Sequence, residues 1–538
     1  MKRLKTLLVL LTAALGLSTG LISCGGGGGG GSSDTGSSVT LSGTVTYTYY
    51  SATETGIAYN SPIEKPIRGA VVALQNSSGT VLATTNTSQT GTYSFSAPAN
   101  STVRVVVKAA LGLPNSPRVT VVDNTNGGAL YGTYLDVTTG TANLTANFNA
   151  SSVWGGTSYS GERAAAPFAI LDTIYQAEVL IKSADPNVQF PALVVNWSIK
   201  NKPTSGDKAI GDIGTSHYQN GNLYILGADG LDTDEYDTHV MAHEWGHYFE
   251  GNLGRSDSIG GSHGPEDILD PRVAFGEGWG NALAGMVLND PIYIDTSGAS
   301  QATIGLKMNV ETDSVLDTQP STTNTNYLVD GFYSESSVQE VLYDLFDSGA
   351  TDDDSLSLGF KPIYDVMVGG QKNTPAYTTI FSFLNYLKDA NPGNSTAIDA
   401  LAAAENIGSG DEYEATLQRI YTVVPVNGTT VTIDVEGYPL QTWADIGLIT
   451  ADNPGNKLFN RMFFKFTVSA AGSHTITVAP VAGGDLFFVL NEKGTVTPVD
   501  NFTTGTTAET LTKSLAAGDY VMEVGSFGGA ATFTVKIN

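Results

Sequence analysis

From residue 39 to about 150, apolar and polar positions alternate with period two in short runs, around Val45, Val71, Leu74, Val81, Tyr93, Phe95, Val103 and Val107. Gly, Asn and Ser separate the runs. Successive side chains of a strand point to opposite faces, so the pattern predicts short strands joined by turns, a β-sandwich over 39–150. Near Ala164 the period changes. Residues 166–177 carry apolar side chains at helical spacing, with Pro167 in the first turn, where its missing N–H costs nothing. Helical patterns then recur between strands to about Tyr421, so 151–425 reads as an α+β unit and 426–455 as a linker. From Asn456 the strand alternation returns, at 463–468, 474–478, 486–490, 519–524 and 531–537, and predicts a second sandwich over 456–538. The expected fold class is multidomain: an α+β core flanked by N-terminal and C-terminal β-sandwich domains.

The length, 538 residues, suits several cores rather than one. Hydrophobic residues at 41% and charged residues at 15% are enough to fold most of it. Acidic residues number 53 against 26 basic, a formal charge of −27. A nucleic-acid binder needs a basic face, so no nucleic-acid partner is expected. The chain has one Cys, at position 24, so no intramolecular disulfide can form. A monomer is expected.

That Cys closes an N-terminal address. Lys2, Arg3 and Lys5 precede an apolar run from Leu7 to about Leu21, too short and Gly-interrupted for a membrane span. Leu21-Ile22-Ser23-Cys24 resembles the bacterial lipobox. The resemblance implies a signal peptide over 1–23, cleavage before Cys24 and a diacylglyceryl group on its sulfur, which would anchor the protein to a membrane without a spanning helix. A signal peptide with an incidental Cys is the other reading. Gly25 to Gly31 and the Ser-rich residues after them make 24–38 a tether of about 20 Å. Asp does not follow Cys24, which by similarity to Gram-negative lipoproteins favours the outer membrane.

The chemistry gathers in 237–250, Asp-Thr-His-Val-Met-Ala-His-Glu-Trp-Gly-His-Tyr-Phe-Glu. His243 and His247, four apart, share one face of a helix, so both imidazoles can reach one zinc ion. Glu244, one position along, lies beside that ion and suits general base and acid work on a water. A catalytic zinc keeps three protein ligands, and thirty residues on stands Gly276-Glu277-Gly278-Trp279. HExxH followed by Gly-Glu-Gly-Trp resembles the gluzincin metallopeptidases, most closely the fungalysin group. The resemblance implies a zincin-type metallopeptidase core, Zn2+ as cofactor, a protein or peptide substrate, and Glu277 as third ligand. A helix-start Glu is the plainer reading of Glu277. His263, sixteen residues beyond His247, competes as a ligand of the other zincin type.

Two departures from the fungalysin pattern matter. Asn281 stands where the family has an Asp that accepts a hydrogen bond from a zinc-bound His; an amide oxygen can still accept it, without charge. The family also has a His on a later helix that steadies the tetrahedral intermediate, and the corresponding 331–344 holds no His. Tyr333, His263 and His239 are the candidate replacements, with a packed aromatic as the plain reading of Tyr333. The competing function is a catalytically inactive zincin-scaffold lipoprotein that binds or adheres at the cell envelope.

Asn222 to Leu226 suits either an edge strand that pairs with extended substrate or an ordinary buried strand. Asp229, Asp232, Asp234, Glu235 and Asp237 crowd the approach to the metal-motif helix. They complement its dipole, or they hold a Ca2+ ion with closely spaced oxygens. Residues 255–263 read as a loop facing the site; its Arg255 could meet a substrate carboxylate, Asp267 or Asp270. The N-terminal sandwich resembles the carboxypeptidase regulatory-like module through 66–74 and 90–95. The C-terminal one is similar to the bacterial pre-peptidase C-terminal domain through 464–468, 485–490 and 517–520.

Overall fold

The computed structural model describes residues 37–265, 267–312, 330–347, 356–413, 421–435, 456–458, 460–500, 507–527 and 530–538. The expected signal peptide, Cys24 and nearly all of the expected tether lie outside the described residues, as does 436–455 of the expected linker. The chain is a multidomain mixture of sheets and helices, sheet-rich, with sandwich-like sheet pairs at both ends. Among the described residues no helix is long and apolar enough to cross a membrane.

The alternation in the first stretch builds the expected strands. Along Ser38–Tyr49, Val39, Leu41, Val45, Tyr47 and Tyr49 turn inward while their neighbours face out. This strand pairs with Thr92–Pro98 and Ile63–Pro66 antiparallel, and with Leu144–Thr145 and Phe148–Ala150 parallel. Ala70–Asn76, a continuous buried run, sits between Val81–Asn86 and Thr102–Leu113 in a second sheet.

That second sheet does not stop at residue 150. Ser116–Asp123 pairs in parallel with Leu193–Trp197, which pairs in parallel with Asn222–Ile225. His217–Gln219 adds antiparallel at the margin, giving nine strands across the boundary expected at 150/151. Parallel neighbours need a long crossover, and helix α1 (Ala166–Ala184) supplies it. Asp172 of α1 ties it to the first sandwich, accepting from Tyr47 Oη at 3.0 Å and Arg68 Nε at 2.6 Å. One hydrophobic cluster accordingly runs from Leu41 through Ile174 and Trp197 to Leu384.

Helices α2 (Thr238–Asn252) and α3 (Pro271–Leu288) lie against each other inside this body. α3 is buried from Pro271 to Met286, as its apolar circumference requires. The two approach closely because Gly246 faces Gly280: a Cβ on Gly246 would stand 3.1 Å from the Gly280 Cα. Trp279 Nε1 donates to the Gly246 carbonyl across the seam at 3.3 Å. Helix α4 (Glu335–Asp344), capped by Ser334, packs on the far side of α3, where Gly278 makes room for Val338.

The C-terminal sandwich has a five-stranded and a four-stranded sheet around its own core of Phe464, Phe466, Phe488 and Phe533. It takes in Tyr421–Val423 and Thr430–Val435, which extend it upstream of the expected start at 456. It also docks firmly on the α3 N-terminus. Arg272 is buried between Asp270 at 2.8 Å and Glu523 of the sandwich at 2.5 Å, and Arg461 holds the other Glu523 oxygen.

Candidate functional site

α2 and α3 bring the metal motif together. His243 Nε2, His247 Nε2 and Glu277 Oε2 converge, with His243 to His247 at 3.1 Å, His243 to Glu277 at 3.3 Å and His247 to Glu277 at 3.2 Å. A tetrahedron drawn with bonds of roughly 2.0–2.1 Å has edges of about 3.3–3.4 Å, so the three atoms stand as corners around a zinc-sized ion would. Glu277 lies in the second turn of α3, not at its start; Asp270 is the N-cap, accepting from Arg272 N. The helix-start reading of Glu277 therefore fails. Glu277 is 6% exposed, and its Oε2 has no hydrogen-bond donor of its own. Burial pushes its carboxyl up, but the His247 and His263 imidazoles outweigh this and hold it well below the usual range.

Each imidazole is oriented from behind. Asn281 Oδ1 accepts from His243 Nδ1 at 2.7 Å, which leaves the Nε2 lone pair facing the cluster. Gly280 makes this possible, since a Cβ there would stand 2.7 Å from the same Nδ1. Behind His247, the buried Glu250 carboxylate lies 3.6 Å from Nδ1. The sequence reading assigned Glu250 no role, although three residues after His247 places it on the same helix face. Glu244 turns to the cavity, and its Oε2 accepts from Tyr218 N at 2.8 Å.

His263 reaches the cluster without joining it. Its Nε2 is 3.2 Å from Glu277 Oε2, but it is outside the group whose ligand atoms all lie within 4.8 Å of one another. Its Nδ1 is held by Glu335 of α4 at 2.9 Å. Burial pushes the imidazole down, but Glu335 and Glu277 outweigh it and raise His263 to about 9. Tyr333 is not brought in. Its hydroxyl donates to the Asp330 carbonyl at 3.3 Å, its ring packs on Phe332, and it does not line the cavity. His239 points away, with Nε2 at 3.1 Å from the Asp290 carbonyl.

The cavity measures about 980 Å³ and is lined by the metal-motif residues, the 256–265 loop, 213–218 and Tyr293. The Tyr293 ring stands edge-on to His243, centroids 6.3 Å apart. The loop faces the site as expected, but Arg255 does not: it pairs with Asp257 and donates to the Thr374 carbonyl at 2.7 Å. Asp267 and Asp270 take Lys457 and Arg272 instead. Asn222–Ile225, flanked on both sides, is an interior strand; the sheet margin beside the site is His217–Gln219.

The acidic approach to α2 separates into different roles. Asp237 sits at the N-cap but makes no capping bond; its Oδ2 accepts from Thr296 N at 3.1 Å and Oγ1 at 2.8 Å. Glu235 is paired with Arg163 in the interior, and Asp229 accepts from Tyr159 N at 3.3 Å. Asp232 and Asp234 remain together, and Asp295, which the sequence reading passed over, joins them.

No protein-family model matches the chain, and no curated protein matches it. Among solved structures it is similar to the pre-peptidase C-terminal domain of collagenase from Bacillus anthracis, at 14% identity over 23% of this chain and 99% of that one, with a TM-score of 0.16. It is also similar to PliG of Aeromonas hydrophila, a periplasmic lysozyme inhibitor of g-type lysozyme, at 14% identity over 22% of this chain and 96% of that one, with a TM-score of 0.13. Scores this low relate the chain to no family.

Proposed function

We propose that this chain is a zinc-dependent endopeptidase of gluzincin type, held at the outer membrane of a Gram-negative cell by lipid on Cys24. The observation that carries the reading is the meeting of His243 Nε2, His247 Nε2 and Glu277 Oε2 from two helices, with Glu244 beside them on an open cavity. Two neutral imidazoles and a carboxylate are the donor set of a catalytic zinc, and a zinc ion bound there would supply a Lewis acid to water and to the scissile carbonyl.

The chain's own residues do the rest. Asn281 and Glu250 fix the imidazoles, so the donor atoms need no rearrangement on binding. Glu244 takes a proton from the attacking water as the new C–O bond forms, and returns it to the amide nitrogen as the C–N bond breaks. The Tyr218 amide holds that carboxylate aimed at the cavity. His263, positioned by Glu335, is the donor offered to the developing oxyanion, in place of the His that 331–344 lacks.

Metal analysis of the full chain tests the assignment, with Glu277→Ala and His263→Ala measured side by side. One equivalent of zinc in the wild type and in His263→Ala, and its loss in Glu277→Ala, are expected. Zinc retained without Glu277 and lost without His263 would reverse the ligand roles. The inactive envelope-binding scaffold would be favoured if zinc-replete protein left casein uncleaved with no chelator present, whereas cleavage that a chelator abolishes favours the peptidase.

A further inference from the structure

The cavity is lined by a second gathering of acidic groups. Asp232 opens the second strand of the small hairpin, Gly227–Ala228 with Asp232–Thr233, that precedes α2; Asp234 follows it, and Asp295 comes from Ile292–Ser297, more than sixty residues away. One carboxylate oxygen of each lies within 4.8 Å of the others. Asp234 is 3% exposed; Ser216 Oγ donates to its Oδ2, while its Oδ1 is enclosed without any hydrogen-bond partner. Asp232 Oδ1 is likewise enclosed and unpartnered. Among the described residues no Lys, Arg or His forms an ion pair with any of the three; burial pushes all three carboxyls up, and at Asp234 and Asp295 the charge of their acidic neighbours adds to it.

Enclosed carboxylates cannot stay ionised without a counter-charge, and carboxylates gathered this closely need a proton or a cation between them. Oxygen-only donors, with neither His nor Cys among them, suit a hard divalent ion. The site opens on the cavity, so water can fill the coordination places that three carboxylates leave.

We infer that Asp232, Asp234 and Asp295 form a binding site for a hard divalent cation of the Ca2+ class, separate from the His243, His247 and Glu277 cluster. The ion joins the hairpin that leads into α2 to the strand that carries Tyr293, and so clamps two walls of the cavity. Its members differ from the run of acids that the sequence offered: Asp229, Glu235 and Asp237 have other partners, and Asp295 takes their place.

The test is calcium titration of chelator-treated full chain by calorimetry, with thermal midpoint and zinc content followed in parallel. One equivalent of bound Ca2+ and a rise of several degrees in the midpoint are expected. Asp295→Asn should bind Ca2+ at least tenfold more weakly and lose the calcium-dependent rise. Without calcium its midpoint should equal or exceed the wild type's, because the substitution removes a repelling charge; this separates lost binding from misfolding. Wild-type protein whose midpoint and calorimetric signal ignore Ca2+, Mg2+ and Mn2+ would leave shared protons as the glue and overturn the inference, as would undiminished calcium binding by Asp295→Asn. Full chain that binds Ca2+ but takes up no zinc when zinc is added back would sink the peptidase reading and leave this one intact.

Discussion

Glu244 and His263 are the side chains on which the proposed chemistry turns. Glu244→Gln keeps the shape and the Tyr218 contact but cannot take a proton, so the variant should bind zinc normally and lose peptide hydrolysis by about 10²–10⁴-fold. Turnover of a peptide library by the zinc-replete variant at the wild-type rate would exclude that role. His263→Ala should lower kcat by about 10²–10³-fold with KM little changed, as expected of a contact made chiefly in the transition state. The buried His239 supplies a pH prediction. Burial holds its pKa below the ordinary 6.5, so on acidification the unfolded chain takes up the proton first. The associated stability is fully present above that value and is lost as pH falls below it. The thermal midpoint of wild-type protein should thus fall more steeply between pH 7 and about 5 than that of His239→Gln.

At the scale of elements, the site depends on how closely α2 and α3 approach. Gly280 lends its missing side chain to the His243 imidazole, and Gly246 lends its own to the Gly280 backbone. Gly280→Ala should push the ring off Asn281 and out of register with Glu277, lowering zinc affinity at least tenfold while the helical circular dichroism is kept. Ala at Gly251, whose added methyl would meet nothing nearer than the Tyr218 ring at 3.6 Å, is the control that should leave zinc binding unchanged. The metal motif, the α1 helix and most strands were legible in the sequence, because each is written in a local period or a fixed spacing. The position of Glu277 within α3 was not. Its helix starts at Pro271 under an Asp270 cap, six residues before Glu277 itself.

Across the whole molecule, the C-terminal sandwich is a support for the site rather than a trailing unit. Arg272, at the start of the helix that carries Glu277, is buried against Glu523 of the sandwich, and Asn491 donates to Asp257 in the loop that leads to His263. Without Glu523 the buried Arg272 keeps only Asp270 and the partly exposed Arg461 loses its carboxylate, so Glu523→Ala should cost about 1.5–3 kcal/mol by denaturant unfolding. Zinc loss should accompany it at lower denaturant than in the wild type. A midpoint unchanged by the substitution would show that the sandwich contributes nothing to the α3 end.

The sequence by itself determined the periods, and with them the strand-rich ends, the helical middle and the pairing of His243 with His247 on one helical face. These follow from side-chain direction within a single element, which neighbouring residues dictate. Only the tertiary structure decided that Ser116–Asp123 and Leu193–Trp197 share a sheet, that Glu250 and Glu335 stand behind the imidazoles, and that Asp295 rather than Glu235 faces Asp232 and Asp234. Those meetings join residues that no local period relates to one another. What chooses them is the burial of apolar surface, and the polar side chains it brings into the interior then settle on whichever partners lie within reach.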